Sequence, residues 1–207
     1  MSYSAFYIKG QPCSKCVLLR ERMKNRVNRS IWITLPIVLF SLFSYASAQP
    51  KQIEPRDADF YKNRGLAYSE KRQYDQAISD FTDALKINPK DSYAYYYRGI
   101  AYEEKNQYDQ AIDDFTKALE IEPKAVSARY YRGIAYREKG HFDWAIEDFT
   151  KILEIDPKAA STYYHRAMTY YFKKEYEKSW KDMKKAEDLG YKIPSNFLEN
   201  LRKALGR

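Results

Sequence analysis

The chain has 207 residues, of which 44% are hydrophobic and 31% charged, and its mean hydropathy of -0.74 excludes a protein with many membrane-spanning segments. Seven glycines and eight prolines are too few for a collagen-like chain, and 21 tyrosines are too many for a disordered one. Of the formal net charge of +8, residues 1–48 carry +6 and residues 49–207 only +2, so we expect no nucleic-acid partner.

An export signal is predicted over residues 23–48. Residues 23–29 are rich in lysine and arginine, residues 31–43 are mostly apolar, and Ala46-Ser47-Ala48 supplies the small residues that a signal peptidase reads. We therefore expect cleavage near Ala48 and a periplasmic or secreted protein. The alternative is an inner-membrane anchor formed by residues 31–48, although this segment is short for a spanning helix.

The place of this signal indicates that Met23 is the initiator and that residues 1–22 are an upstream extension from a misassigned start. Both cysteines, Cys13 and Cys16, lie in that extension. Their CxxC spacing has no second pair and no histidine partner, so we expect no metal site and no cofactor. Residues 49–57 form a short tail before the repetitive part of the chain.

Residues 58–193 repeat with a constant period of 34 residues. An Arg-Gly-hydrophobic-Ala-Tyr block stands at residues 64–68, 98–102 and 132–136, and a related block stands at 166–170. Columns of alanine, phenylalanine and proline recur at the same interval. Each unit contains two stretches with apolar residues at helical spacing, separated by a polar break, which predicts two amphipathic helices per unit.

This pattern resembles the tetratricopeptide repeat, here of a bacterial exported type. The resemblance implies an all-α, right-handed superhelical solenoid of four helix-turn-helix repeats, followed by a capping helix at residues 194–207. The expected repeats are 58–91, 92–125, 126–159 and 160–193. The N-cap side chains expected from residue type are those of Asp57, Asp91 or Ser92, Ser127 and Ser161.

The first arginine of each repeated block has an acid sixteen residues later, on the other helix of the pair. We expect structural salt bridges between helices, with the carboxylate binding the guanidinium. An anion-binding ladder of arginines is the alternative. The expected pairs are Arg64 with Asp80, Arg98 with Asp114, Arg132 with Asp148, and Arg166 with Asp182.

The family resemblance also implies a concave groove, lined by the first helix of each repeat, that holds a partner peptide or helix. The last repeat offers the most aromatic stretch of this face, where hot-spot contacts are expected. The alternative is that some of these tyrosines pack against the next repeat. The expected partner-binding residues are Tyr93, Tyr96, Ile100, Tyr130, Ile134, Arg137, Tyr164, Met168, Tyr171 and Phe172.

The sequence offers no candidate catalytic residue. It has no P-loop, GxGxxG, GxSxG or HExxH motif, and its two histidines, His141 and His165, have no acids or cysteines at ligand spacing. The predicted function is a non-enzymatic protein-protein interaction scaffold of the cell envelope or secreted space, as a monomer or weak homodimer.

The alternative function is binding of an anionic surface, a membrane or a nucleic acid, through a basic outer face of the last repeat. This face would be formed by a lysine stripe at helical spacing, which is more often simply a solvated surface. Otherwise, contact with a membrane is expected only through an uncleaved signal segment. The stripe consists of Lys174, Lys178, Lys181 and Lys185.

Overall fold

The computed structural model describes residues 7–8, 11–12 and 57–207. The chain divides into two units, Met1–Glu54 and Pro55–Arg207. In the first unit, strands β1 (Tyr7–Ile8) and β2 (Gln11–Pro12) pair in antiparallel fashion. The predicted signal segment and its cleavage site lie outside the described residues.

Residues 57–207 form an all-α helical repeat solenoid, as the sequence predicts. Four helix pairs follow one another along the chain, and a ninth helix packs against the last pair. Among the described residues, no helix is long and apolar enough to cross a membrane. The helices are α1 (Ala58–Glu70), α2 (Tyr74–Ile87), α3 (Ser92–Glu104), α4 (Tyr108–Ile121), α5 (Val126–Glu138), α6 (Phe142–Ile155), α7 (Ala160–Phe172), α8 (Tyr176–Asp188) and α9 (Ser195–Ala204).

We call α1, α3, α5 and α7 the first helices, and α2, α4, α6 and α8 the second helices. Two residues after each first helix ends, one residue has left-handed backbone, and the next amide donates back to a carbonyl of that helix at 2.8–2.9 Å. This geometry satisfies carbonyls that a helix end leaves without partners, and it turns the chain into the second helix. The left-handed residues are Arg72 (φ 58°), Asn106 (φ 57°), Gly140 (φ 77°) and Lys174 (φ 66°).

The starts of the first helices agree with the expected N-caps only in the first two repeats. The Asp57 carboxylate accepts from the Phe60 amide at 2.8 Å, and Asp91 accepts from Ala94 at 3.0 Å. Helices α5 and α7 begin after Ala125 and Ala159, whose side chains cannot cap. The prediction of serine caps in repeats three and four is therefore wrong, because the two serines lie inside the first turn.

Close packing within each of the first three repeats depends on a glycine that faces a phenylalanine. A Cβ atom built on Gly65, Gly99 or Gly133 would stand 2.9, 2.7 or 2.9 Å from the nearest ring carbon. The rings are those of Phe81, Phe115 and Phe149, and each is fully buried.

The fourth repeat solves the same packing problem differently. Ala167 stands in the glycine column and Met183 in the phenylalanine column, and both are fully buried in one cluster. A methionine can bend away from an added methyl group, whereas a phenylalanine ring cannot. The replacement of glycine by Ala167 is therefore accommodated by the replacement of phenylalanine by Met183.

Helix α9 covers the end of the fourth repeat. Leu201 is fully buried and Phe197 is 9% exposed, and both belong to the cluster that includes Tyr164 and Met183. The chain reaches this helix through Gly190, whose φ of 86° is a left-handed conformation that glycine adopts without strain.

Candidate partner-binding groove

The first helices line the inner side of the solenoid. Each first helix contacts the next one along the array, while the second helices do not approach one another to the same extent. Shorter spacing on one side of a stack curves it toward that side. The face of α1, α3, α5 and α7 is therefore the concave one, and its side chains define the groove.

Each arginine of the repeated block binds an aspartate of its own repeat through two hydrogen bonds. Arg98 Nε and Nη2 donate to the Asp114 carboxylate at 2.7 Å each. The corresponding distances are 2.7 Å for Arg64 with Asp80, 2.8 Å for Arg132 with Asp148, and 2.6 and 3.0 Å for Arg166 with Asp182. The four carboxylates are 3–8% exposed as side chains, so each pair is bidentate and has a buried carboxylate.

Sequence reasoning missed a threonine that joins each arginine to the preceding repeat. Arg98 Nη1 donates to Thr82 Oγ1 at 3.0 Å. The same contact links Arg132 to Thr116 at 3.1 Å and Arg166 to Thr150 at 2.9 Å. The repeat pattern of the sequence could have indicated this contact, because the three threonines stand 34 residues apart. With both partners in place, these arginines tie helices together and do not present an anion-binding ladder.

Much of the predicted aromatic end of the groove is covered. Tyr164 is 8% exposed, stacks on Tyr191 with ring centroids 4.8 Å apart, and meets Phe197 edge-on at 5.6 Å. Tyr171 packs against Tyr176 and Phe197, both at 5.6 Å. Met168 is partly buried against the same cluster. These three side chains hold α9 and the fourth repeat together.

Arg137 is buried and fully engaged. Its Nη2 and Nε donate to Glu138 Oε1 at 2.7 and 3.1 Å, and its Nη1 lies 2.9 Å from His165 Nδ1. Burial and the neighbouring guanidinium lower the pKa of His165 to about 4, so this imidazole is neutral at physiological pH. Since arginine can only donate, Nδ1 accepts and the ring proton resides on Nε2.

Phe172 is half exposed, but its ring stacks on Phe142 of the preceding repeat at 6.5 Å. The residues equivalent to Phe142 and Phe172 at the junction of the first and second repeats are Tyr74 and Glu104. Tyr74 Oη lies 2.9 Å from Glu104 Oε2. A tyrosine-carboxylate contact between neighbouring repeats is thus replaced by an aromatic pair. Phe172 serves this junction and also leaves an apolar edge in solvent.

The middle of the groove has an apolar floor. Tyr130 packs 6.0 Å from Phe149 and 5.2 Å from His165. Ile100 and Ile134 are partly buried against the cores of the second and third repeats. These three predicted residues therefore form the base of the groove and present only part of their surface.

Tyr93, the most exposed of the predicted residues, lies at a cleft between α3 and α5. We call Tyr93, Tyr96, Val126 and Ser127 the tyrosine cleft, a concavity of about 370 Å³ that Glu122 and Lys124 also line. Tyr93 is 61% exposed and Val126 39% exposed. Tyr96 forms the wall and packs 5.9 Å from Tyr131. Burial raises the pKa of Tyr96 to about 12, so its hydroxyl stays protonated.

The groove is acidic where the first helices end. Glu70, Glu104 and Glu138 are exposed there. Burial and, to a smaller extent, the negative charges of Glu104 and Glu138 raise the pKa of Glu103. Arg137, the positive charge that opposes this shift, is already bonded to Glu138, and Arg72 lies 3.9 Å from Glu104. One edge of the groove therefore carries negative charge beside tyrosine rings.

Residues 57–207 contain no group of three or more histidine, cysteine or acidic side chains that could hold a metal. His141 packs beside Trp144, with ring centroids 4.9 Å apart, and His165 is bonded to Arg137. The two histidines are in different repeats and do not converge on one site.

Three successive segments, residues 58–91, 92–125 and 126–159, match a family model described as the tetratricopeptide repeat. Residues 160–189 match a second model with the same description. The chain belongs to the tetratricopeptide repeat family. A comparison with curated protein sequences found no match.

This tetratricopeptide repeat array is similar to several solved structures. The crystal structure of MamA is 24% identical with a TM-score of 0.63, covering 66% of this chain and 80% of that chain. The Arabidopsis OM64 TPR domain is 28% identical with a TM-score of 0.52, covering 54% and 93%. The first TPR of Spaghetti (RPAP3), bound to the HSP90 peptide SRMEEVD, is 21% identical with a TM-score of 0.54, covering 58% and 96%.

Proposed function

We propose that this protein is a non-enzymatic interaction scaffold that binds a segment of a partner protein in its groove, with the tyrosine cleft as the main contact. The observation that carries the proposal is Tyr93, a large aromatic side chain left 61% exposed beside a cleft of about 370 Å³. Tyrosine loses little conformational entropy on binding and is enriched at interface hot spots.

The surroundings of the cleft suit a short amphipathic segment. Val126 and the Tyr96 ring offer apolar surface, while Glu122 and Lys124 add an acidic and a basic side chain to the lining. The RPAP3 domain, which has the same fold and whose structure contains a bound peptide, supports peptide binding as the mode. Family membership itself supports a scaffold over an enzyme.

The site of contact can be tested in cells with a photo-crosslinking phenylalanine analogue at Tyr93. We expect a crosslinked product of defined mass whose partner peptide is identified by mass spectrometry. The matched control carries the analogue at Trp144, which is 54% exposed on a second helix. The same product from both positions, or none from Tyr93, would contradict the proposed surface.

Affinity gives a second readout once the partner is identified. Tyr93→Ala should weaken binding more than tenfold, because truncation of an aromatic anchor typically costs about 2 kcal/mol. Trp144→Ala should leave the affinity nearly unchanged. Both changes remove a comparably exposed aromatic ring, so the comparison separates the groove from the outer surface.

We further propose that the scaffold acts outside the cytoplasm. The basic, apolar and small-residue segments of residues 23–48 support this location. Mass spectrometry of the native amino terminus tests it, with Gln49 expected as the first residue. Peptides from residues 1–22 would contradict the start at Met23, and an intact segment 31–48 in membranes would contradict cleavage.

The basic stripe of the last repeat is a weaker candidate for a binding surface. Lys178 is bonded to Glu175 at 2.7 Å and lies 5.6 Å from the centre of the Tyr170 ring. Internal pairing of this kind reduces the charge that the stripe offers to an anionic surface. Salt-sensitive binding to acidic lipid vesicles would favour this alternative over the groove.

A further inference from the structure

The outer face of α1 is a five-residue stripe at the end of the array. Asp57, Phe60, Arg64, Ala67 and Lys71 are spaced by three, four, three and four residues. This is the spacing of a two-helix seam, and it places Phe60, Arg64 and Ala67 on one side of the helix. Asp57 is the N-cap and Lys71 the C-cap at the two ends of the same stripe. We call this stripe the α1 seam.

The seam is more exposed than the same columns elsewhere. Phe60 is 39% exposed, where Ala94 and Ala128 are fully buried or nearly so. Ala67 is exposed, whereas Ala101, Ala135 and Thr169 are buried. The Arg64 side chain is 40% exposed, against 16–17% for the three later arginines. In repeats two to four, a preceding second helix covers these positions.

The seam does not suit another array stacked end to end. Ala94 is small because it packs against Ala84 and Leu85 of the preceding second helix. Phe60 occupies that column in α1, and its larger ring would hold a second helix away. The partner of the seam must therefore accept a projecting ring at this position.

The seam fits a second copy of itself in antiparallel orientation. Phe60 and Ala67 are equally far along the helix from a point between Asn63 and Arg64. A two-fold axis at that point would place the ring of each copy against the small alanine of the other. Asp57 and Lys71 lie at opposite ends with nearly the same centre, so each acid would face a base. Asp57 Oδ1 caps the helix by accepting from the Phe60 amide at 2.8 Å, and its other carboxylate oxygen would meet the lysine. Arg64 is already neutralised by Asp80 at 2.7 Å, which limits repulsion near the axis.

We propose that this protein forms a two-fold dimer through the α1 seam. A helix of 13 residues is about 20 Å long, so one seam buries less surface than a stable standard interface. The dimer is therefore weak and concentration-dependent. It goes beyond the groove function, because the tyrosine cleft lies between α3 and α5 and plays no part in the seam.

The test uses the full chain, expressed from Met1 and purified as the cell processes it, in sedimentation equilibrium over a wide concentration range. We expect reversible monomer-dimer behaviour for the wild type. Phe60→Ala should weaken association about tenfold, since it removes the projecting ring. A wild type that stays monomeric at the highest usable concentration would overturn the proposal.

A charge exchange identifies the seam itself. Lys71→Asp and Asp57→Lys should each dimerise less well alone, because each homodimer would contain two like-charge contacts. Asp57→Lys also removes the N-cap of α1, so Asp57→Ala, which loses the cap without adding a positive charge, is measured beside it and should weaken association less. An equimolar mixture of the two variants should recover wild-type association, since every acid would again face a base. Failure of the mixture to recover, with both variants folded by circular dichroism, would overturn the pairing.

Asp59→Lys serves as the control, because its side chain lies one residue off the seam and is 75% exposed. It adds the same positive charge to the start of α1 and should leave association near the wild-type value. If Asp59→Lys and Asp57→Lys weaken the dimer equally, the effect is one of net charge, and the proposed seam is wrong.

Discussion

Substitution of Gly99 by alanine tests whether the glycine-phenylalanine contact sets the spacing of the two helices in a repeat. The new Cβ would stand 2.7 Å from Cε1 and 2.9 Å from Cδ1 of Phe115. Phe115 is fully buried, and the rings of Tyr96 and Tyr131 each lie 6.1 Å from it and 5.9 Å from one another. Because the ring is fully buried, it can make room for the new methyl group only by displacing the side chains packed against it.

Two opposing contributions decide how much Gly99→Ala changes the free energy of unfolding. Alanine is favoured over glycine in a helix by about 1 kcal/mol, while overpacking a filled core costs about 1–3 kcal/mol. We expect Gly99→Ala to destabilise the array by about 1 kcal/mol. Phe115→Met alone leaves a gap and is also destabilising. Together, the two changes recreate the alanine-methionine pair of the fourth repeat and should cost less than their sum by about 1 kcal/mol or more.

Chemical denaturation followed by circular dichroism measures the four members of this cycle. Gly140→Asn is the control, because a Cβ at Gly140 meets no atom within 4 Å and Asn106 already adopts the same left-handed turn. That change should be close to neutral. A Gly99→Ala variant more stable than the wild type, or strictly additive costs in the double variant, would refute the packing argument.

Three further predictions concern stability and can be measured in the same denaturation assay. Since burial lowers the folded-state pKa of His165 to about 4 from 6.5, only the unfolded chain gains a proton as the pH first drops below 6.5. The wild type should therefore lose about 2 kcal/mol more than His165→Gln between pH 7 and pH 5. Asp148→Asn leaves Arg132 buried without its carboxylate and should cost about 3 kcal/mol, whereas Asp143→Asn, at an 80% exposed side chain, should cost less than about 0.5 kcal/mol. Deletion of residues 194–207 uncovers the core of the last repeat and should lower both solubility and stability, the latter by about 3 kcal/mol or more; an unchanged melting curve would contradict the capping role.

The fold could be predicted from the sequence because the same residue pattern occurs in four successive repeats. A single arginine followed by an acid sixteen residues later is weak evidence, but four such pairs at one period are difficult to explain without two packed helices. The same logic would have found the threonines that bind the arginines, since Thr82, Thr116 and Thr150 also keep the period. They were missed because a threonine column has no obvious partner until the arginine is seen to span two repeats.

The candidate site was less predictable, because a column position gives the direction of a side chain but not what covers it. Tyr164 points to the groove side in the family pattern, yet Tyr191 and Phe197 cover it, and both lie beyond the fourth repeat's helices. Arg137 is a predicted partner-binding residue, but its guanidinium is already bonded to its neighbour Glu138 and to His165 of the next repeat.

Most aromatic side chains of the groove also pack between neighbouring repeats, and this packing decides which of them can bind a partner. Tyr97 stacks on Phe81 of the preceding repeat, and Tyr131 stacks on Phe115, both with ring centroids 6.1 Å apart. Rings locked between repeats fix the spacing of the first helices, so the groove is already formed before a partner arrives and less ordering is needed on binding. The ring that stays outside this stack in the second repeat is that of Tyr93, which is why the binding proposal depends on it.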